Sequence, residues 1–276
     1  MKIVNANGAE IPAIGLGTYR LKGEDATEAV KHAIEIGYRH IDTAQMYDNE
    51  AAVGKGIATA PTAREDVFLT TKIWPDNFSH GDLIAAAKES VTRLKTDYVD
   101  LLLLHWPSKT VPLGETMEAL NEVHASGFAK HIGISNFTTS LIEEAISLSS
   151  APLAVDQVEY HPYLSQEEVL ASLRKHGMAL TAYAPLAHAK VADDKTIKDI
   201  AAAHGKTPGQ VALRWLVQQD GVIAIPKSGN PARQKENIEI FDFELSGDEM
   251  SRLFALQSPQ GRIIDPAGVA PEWDAA

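Results

Sequence analysis

Eight short apolar runs recur along this chain, and amphipathic segments separate them. Their centres are Ile14, Ile41, Phe68, Leu102, Ile132, Val155, Leu180 and Ile223. The interval between centres suits one strand plus one crossover helix as far as the seventh run, and is longer before the eighth. Parallel neighbours need such crossovers, so the alternation predicts a parallel sheet covered by helices. With eight units, the expected architecture is α/β, a closed (β/α)8 TIM barrel. Leu101-Leu102-Leu103-Leu104 fits a strand buried on both faces. An open doubly wound sheet is the alternative. It calls for a glycine-rich phosphate turn after the first strand, but Gly15-Leu16-Gly17 lacks the third glycine, and no acidic strand end follows at the required distance. Gly15 and Gly17 are open to two readings, backbone freedom near a pocket or a plain turn.

The segments between the runs mark their own ends. Ala26, Ala29, Val30, Ala33 and Ile34 share one helical face, which predicts a helix over 24–36 closed by Gly37. Further helices are predicted near 50–58, 83–94 with Ser79 as N-cap, 116–126, 141–147, 194–203, 208–218 and 232–237. Capping boxes are predicted at Ser165–Glu168, Thr207–Gln210 and Ser246–Glu249. Ahead of the first run, Asn7-Gly8 predicts the two-residue turn of a small β-hairpin. No linker interrupts the pattern, so one domain over 1–276 is expected, with an N-terminal hairpin and a C-terminal extension.

At 276 residues the chain is the size of one such barrel. It has no cysteine, which removes disulfides and thiolate metal sites. A net charge of −12 argues against nucleic acid and anionic membranes as partners. Met1-Lys2-Ile3-Val4-Asn5 lacks the apolar run of a signal peptide, and no stretch is long and apolar enough to span a membrane, so a cytoplasmic protein is expected. No heptad pattern calls for a partner helix, so a monomer is expected. The same charge means that a phosphorylated ligand needs a local basic cluster, for which Lys227, Arg233 and Lys235 are the compact candidate.

In a parallel barrel, functional groups gather at the C-terminal ends of the strands. Asp42 ends the second run, Tyr47 follows five residues on, Lys72 ends the third run and His105 follows the fourth. Singly, Asp42, Tyr47 and His105 read as a turn residue, a half-buried aromatic and a core histidine. Together they make an acid–base site. Ser135-Asn136, Gln157, Tyr183 and Ile225-Pro226-Lys227-Ser228 fall at the later strand ends.

The stretches Gly37-Tyr38-Arg39-His40-Ile41-Asp42-Thr43-Ala44 with Tyr47, Thr71-Lys72, Leu104-His105-Trp106-Pro107, Gly133-Ile134-Ser135-Asn136-Phe137, Gln157-Val158-Glu159-Tyr160-His161-Pro162 and Ile225-Pro226-Lys227-Ser228 resemble the aldo-keto reductase family, in order, over nearly the whole chain. Ala44-Gln45-Met46-Tyr47-Asp48-Asn49-Glu50 and Ala270-Pro271-Glu272-Trp273-Asp274 look most like its bacterial 2,5-diketo-D-gluconate reductases, particularly the B type. The resemblance implies a hairpin plugging the barrel base and an extended NADPH with no Rossmann domain. It implies Asp42, Tyr47, Lys72 and His105 as the catalytic tetrad, with no metal. Ser135, Asn136 and Gln157 would hold the nicotinamide carboxamide, Tyr183 would stack on the ring, and Lys227, Ser228, Arg233 and Asn237 would meet the adenosine phosphate. Tyr19, Trp74, Trp106 and Trp273 would line the pocket for a small-molecule carbonyl, 2,5-diketo-D-gluconate or a methylglyoxal-like compound. No arginine stands out in the sequence as a carboxylate binder.

The chemistry of these residue types agrees with that expectation. Reducing a carbonyl needs a hydride on carbon and a proton on oxygen. Tyr47 can give the proton, but a free phenol near pKa ~10 is a poor acid at neutral pH. The Lys72 ammonium is expected to lower that pKa, with Asp42 holding the lysine charged and in place. His105, as a neutral imidazole, would orient the substrate oxygen. Two positions depart from the family pattern. Gly229-Asn230-Pro231 replaces bulkier or basic residues that some diketogluconate reductases carry, and Asp156 stands where asparagine is usual before Gln157. Asp156 would hydrogen-bond a backbone amide or simply be tolerated. Two other classes compete: a non-catalytic, cofactor-binding regulatory barrel, which the complete tetrad argues against, and a metal-dependent barrel hydrolase, which lacks clustered ligands and any His-x-His.

Overall fold

The computed structural model describes residues 2–274. Asn7 and Gly8, with φ of 45° and 90°, turn β1 (Ile3–Ala6) back onto β2 (Ala9–Pro12) as an antiparallel hairpin. Asn7 Nδ2 donates to the carbonyls of Leu153 at 2.7 Å and His176 at 3.0 Å, which seats the hairpin across the N-terminal end of the sheet.

Eight parallel strands follow in chain order: β3 (Leu16–Gly17), β4 (His40–Asp42), β5 (Phe68–Ile73), β6 (Val99–Leu104), β7 (Ala129–Ser135), β8 (Leu153–Glu159), β9 (Ala179–Tyr183) and β10 (Val222–Ala224). All six residues of β6 are buried, as its unbroken leucine run requires. The outer ring is α1 (Gly23–Glu35), α2 (Glu50–Thr59), α3 (His80–Leu94), α4 (Leu113–Ala125), α5 (Thr139–Leu148), α6 (Glu167–Lys175), α7 (Lys195–His204), α8 (Pro208–Gln218), α9 (Pro231–Ile238) and α10 (Gly247–Phe254). The result is the expected (β/α)8 barrel, with two helices, α7 and α8, accounting for the long interval before β10.

The seam between first and last strands is held by backbone bonds. Gly15 N donates to Ala224 O at 2.9 Å, Ala224 N to Ala13 O at 2.9 Å, and Gly17 N to Pro226 O at 3.2 Å. This explains the two glycines, and neither forms a turn. A Cβ on Gly17 would lie 2.7 Å from the Ile225 carbonyl oxygen, and one on Gly15 would lie 2.8 Å from the His40 ring. Gly17 is glycine because the seam leaves no room for a side chain, and Gly15 because the His40 ring of β4 fills the space beside it.

The capping boxes at Thr207–Gln210 and Ser246–Glu249 form as expected. The one at Ser165–Glu168 does not. Gln166 is the N-cap of α6, and its side chain donates to the Glu159 carbonyl at 2.7 Å, which displaces the start by one residue. Ser79 occupies the N-cap of α3, but its hydroxyl donates to Asp82 at 2.6 Å instead of accepting from the backbone. Helix α4 starts three residues earlier than its apolar face suggests, at Leu113. After α10 the chain runs back over the C-terminal strand ends, tied by Ser258 N to Tyr163 O at 3.1 Å and by Asp274 to the first residue of α5, Thr139, at 2.9 Å.

Candidate active site

Asp42 ends β4 in register with Thr70 of β5, two residues before Lys72 near the end of that strand, and neither Asp42 nor Lys72 has more than a trace of exposed surface. Lys72 Nζ donates to Asp42 Oδ1 at 2.6 Å, to the Thr43 carbonyl at 2.9 Å and to the Tyr47 hydroxyl at 3.4 Å. Tyr47 ends a short 3-10 turn, Gln45–Tyr47, that folds back over the strand ends. A ring-to-ring distance of 5.7 Å places it against His105, which follows β6 directly. The four residues expected to act together are therefore one contiguous cluster.

Their electrostatics differ from the simplest expectation. Burial pushes the Tyr47 phenol well above its usual value, and Asp42 and Tyr19 push the same way. The lowering expected from Lys72 does not outweigh this, so the phenol is protonated at neutral pH. Burial also lowers the Lys72 ammonium, against the stabilising pull of Asp42. His105 is held well below the usual imidazole value by burial and by the Lys72 charge, so its ring is neutral. Its Nδ1 is buried without a hydrogen-bond partner.

A second network lies beside the first. Tyr183 OH donates to Asn136 Oδ1 at 2.7 Å, and Asn136 Nδ2 donates to the His105 carbonyl at 2.9 Å and to Ser135 Oγ at 3.1 Å. Ser135 Oγ donates to the Gln157 carbonyl at 2.7 Å. Asn136 adopts a φ of 64°, a left-handed geometry that asparagine tolerates better than most residues. Lys227, Ser228, Arg233 and Asn237 sit apart from both networks, on the connection after β10 and along α9. Lys227 and Arg233 are exposed and form no ion pair among the described residues, whereas Lys235 pairs with Glu239 at 3.8 Å. The four aromatic candidates fall into separate ring pairs: Tyr19 meets Tyr47 at 5.1 Å, Trp74 meets His105 at 5.2 Å, and Trp106 meets Trp273 at 6.1 Å between ring centroids.

The sequence profile of the aldo/keto reductase family matches residues 13–257. The chain belongs to that family. The reductase is 45% identical over 267 residues to "Methylglyoxal reductase DkgB" of Escherichia coli O157:H7, covering 96% of this chain and 99% of that protein. A solved structure assigned as 2,5-diketo-D-gluconic acid reductase B superposes with a TM-score of 0.98 at 53% identity, over 100% of this chain and 98% of the other. The Bombyx mori aldo-keto reductase, solved in complex with NADP, superposes with a TM-score of 0.90 at 31% identity, over 99% and 98% of the two chains.

Several residues that support the reductase's site escaped sequence reasoning. Thr18 Oγ1 donates to the Asp42 carbonyl at 2.9 Å. Asn49 Nδ2 donates to the carbonyls of Thr18 and Leu21, and its Oδ1 accepts from Thr43 at 2.7 Å, so the loops after β3 and β4 are tied together. Gln45 Oε1 accepts from Trp74 N at 3.2 Å and fixes the loop that carries Trp74. Glu159, one of the motif residues left without a role, accepts from Ile263 N and Ile264 N at 2.8 Å each and from His161 Nε2 at 2.9 Å. Thr18 carries no pattern that marks it; Gln45 and Asn49 lie in the stretch 44–50, which carries the resemblance but gives them no role, and Glu159 had a signal as a carboxylate two residues beyond Gln157 on the same strand face.

Proposed function

We propose that this reductase uses NADPH to reduce small aldehydes and ketones, with Tyr47 as proton donor. The observation that carries the reading is the buried Asp42–Lys72–Tyr47 chain beside a neutral His105. A protonated phenol is the form a general acid must start in. As the proton leaves for the substrate oxygen, the ammonium 3.4 Å away stabilises the phenolate that forms. Asp42 holds that ammonium in place, and its other oxygen is held by Gln157. The neutral imidazole of His105 orients the carbonyl.

The donor set fits a phosphorylated dinucleotide. Lys227 and Arg233 have no competing carboxylate among the described residues, and Asn230 caps the start of α9 beside them through its bond from Arg233 N at 3.2 Å. Ser228 and Asn237 flank them, and Ser135, Asn136 and Gln157 present amide and hydroxyl groups next to the Tyr183 ring, at the strand ends where a nicotinamide would lie. When bound there, the cofactor supplies the hydride. Methylglyoxal is the first substrate to test, on the likeness to the DkgB enzyme, with 2,5-diketo-D-gluconate second. We read the working form as a monomer, and a sedimentation mass of twice the chain at low concentration would contradict it. A substrate panel followed by nicotinamide absorbance, with NADPH and NADH in parallel, tests the reading; no oxidation of either cofactor with any aldehyde would end it.

A further inference from the structure

We propose that Arg262 anchors a negatively charged group on the substrate, so that this reductase favours small carbonyl compounds carrying a carboxylate over their neutral counterparts. The inference rests on the reading of the Tyr47–His105 cluster as the place of carbonyl reduction.

Arg262 lies in the extension after α10. Its guanidinium carbon stands 3.6 Å from the ring centroid of Trp273, which meets Trp106, the residue after His105. Tyr183 lies within electrostatic reach of both Arg262 and Tyr47. Arg262 is therefore linked to the cluster through Trp273 and Trp106, next in the chain to His105, and Tyr47 stands against that same His105.

Its backbone is pinned. Ile263 N and Ile264 N each donate to Glu159 at 2.8 Å, and Gly261 is packed against the Tyr163 carbonyl so closely that no side chain fits there. The neighbouring carboxylates are committed elsewhere. Glu159 takes those two amides and His161. Asp265 accepts from Trp273 Nε1 at 2.9 Å, and Asp274 accepts from Thr139 N and Oγ1 at 2.9 Å each. Among the described residues no carboxylate pairs with Arg262, and its Nη1 is buried with no hydrogen bond at all. Burial holds this guanidinium below its usual pKa while Glu159, Tyr183, Asp265 and Asp274 pull it up.

A half-buried guanidinium that has given up water without gaining a partner is an unfinished interaction. Stacking on Trp273 fixes its plane and leaves a forked edge in that plane, the geometry that matches a carboxylate. The surrounding carboxylates oppose an anion at longer range, although each has its charge spread over the donors it accepts. Binding must then come from short, directed bonds, which favours a compact carboxylate over a diffuse negative group. The occupant that fits is an oxo acid whose carbonyl meets Tyr47 while its carboxylate meets Arg262.

The test compares succinic semialdehyde with butanal, four-carbon aldehydes with and without a carboxylate, at saturating NADPH. In wild type kcat/KM should favour the acid, and Arg262→Gln should lower it for the acid by roughly 10- to 100-fold, the scale of a charge-assisted bond. Butanal turnover and the KM for NADPH should stay within about twofold, and Arg262→Lys should recover part of the loss. A thermal melt of each variant reports folding. Equal losses on both aldehydes, a rise confined to the KM for NADPH, or no preference in wild type would overturn the proposal. Reduction of neither aldehyde by wild type would instead overturn the assignment of the catalytic cluster, and this inference with it.

Discussion

Gln157 Nε2 donates to Asp42 Oδ2 at 2.8 Å, across the barrel from β8 to β4. The other Asp42 oxygen is held by Lys72. The aspartate is thus clamped between the proposed proton site and the proposed nicotinamide site, and the two are mechanically one. Gln157→Leu should leave Asp42 with a lone pair buried and unpaired, and lower kcat by about tenfold together with a weaker cofactor KM. Stopped-flow and steady-state rates measured side by side would show it; a change in KM alone would mean that Asp42 does not depend on Gln157.

Tyr47→Phe removes the proposed proton donor and leaves Lys72 with its Asp42 and Thr43 bonds. Turnover on an aldehyde should fall by roughly 10²- to 10⁴-fold, the usual worth of a general acid, while NADPH affinity by fluorescence titration stays unchanged. Near-full turnover in this variant would give the role to another group.

Arg233 is exposed on α9 with no partner among the described residues. Arg233→Ala should raise the KM for NADPH by roughly tenfold, about 1.4 kcal/mol, with little effect on NADH. Added salt should shrink the difference in wild type, because the site is open to solvent. Equal weakening of both cofactors would make the residue structural.

Asp156 faces away from Gln157 on β8, fully buried, and neither carboxyl oxygen has a hydrogen-bond partner. Burial and the nearby Asp274 hold its carboxyl well above the usual range, against a smaller pull from the amides of Phe137 and Asn136. The folded state therefore binds this proton more tightly than the unfolded one, where the pKa is about 3.9. Its contribution is complete below that value and is lost as pH rises toward the folded pKa. Asp156→Asn should raise stability by roughly 1–3 kcal/mol at pH 8, with the gain vanishing near pH 4. Denaturant melts at the two pH values check this; a pH-independent difference would show that the folded state does not raise the Asp156 pKa, and a loss of stability confined to pH 8 would show a carboxylate that is ionised and paired.

Gly17→Ala should destabilise the barrel by roughly 1–3 kcal/mol, because the new methyl would meet the Ile225 carbonyl at 2.7 Å across the seam. Gly8→Asn at the hairpin turn serves as the contrast, since no atom lies within 4 Å of its Cβ position and asparagine tolerates the left-handed φ of 90° better than most residues. Equal melting temperatures for Gly17→Ala and wild type would show that the seam opens easily.

The fold was legible because period and spacing are properties of the chain itself. The leucine run of β6, the glycine after α1 and the capping boxes of α8 and α10 each act over a few residues, and each reads correctly from order alone. The Ser165 box misled because a bond from Gln166 back to Glu159 at the end of β8, seven residues earlier, outweighed the capping preference.

The sequence by itself determined eight strand–helix units and which polar side chains stand at the strand ends. It did not determine the charge states. Asp42 and Lys72 are thirty positions apart, and whether a phenol beside them falls or rises depends on how much water the barrel excludes. Nor did it mark Arg262, whose significance comes from Trp273 on one side and from three carboxylates that are already occupied. Burial and competing partners are sums over distant segments, so only the closed tertiary structure decides them.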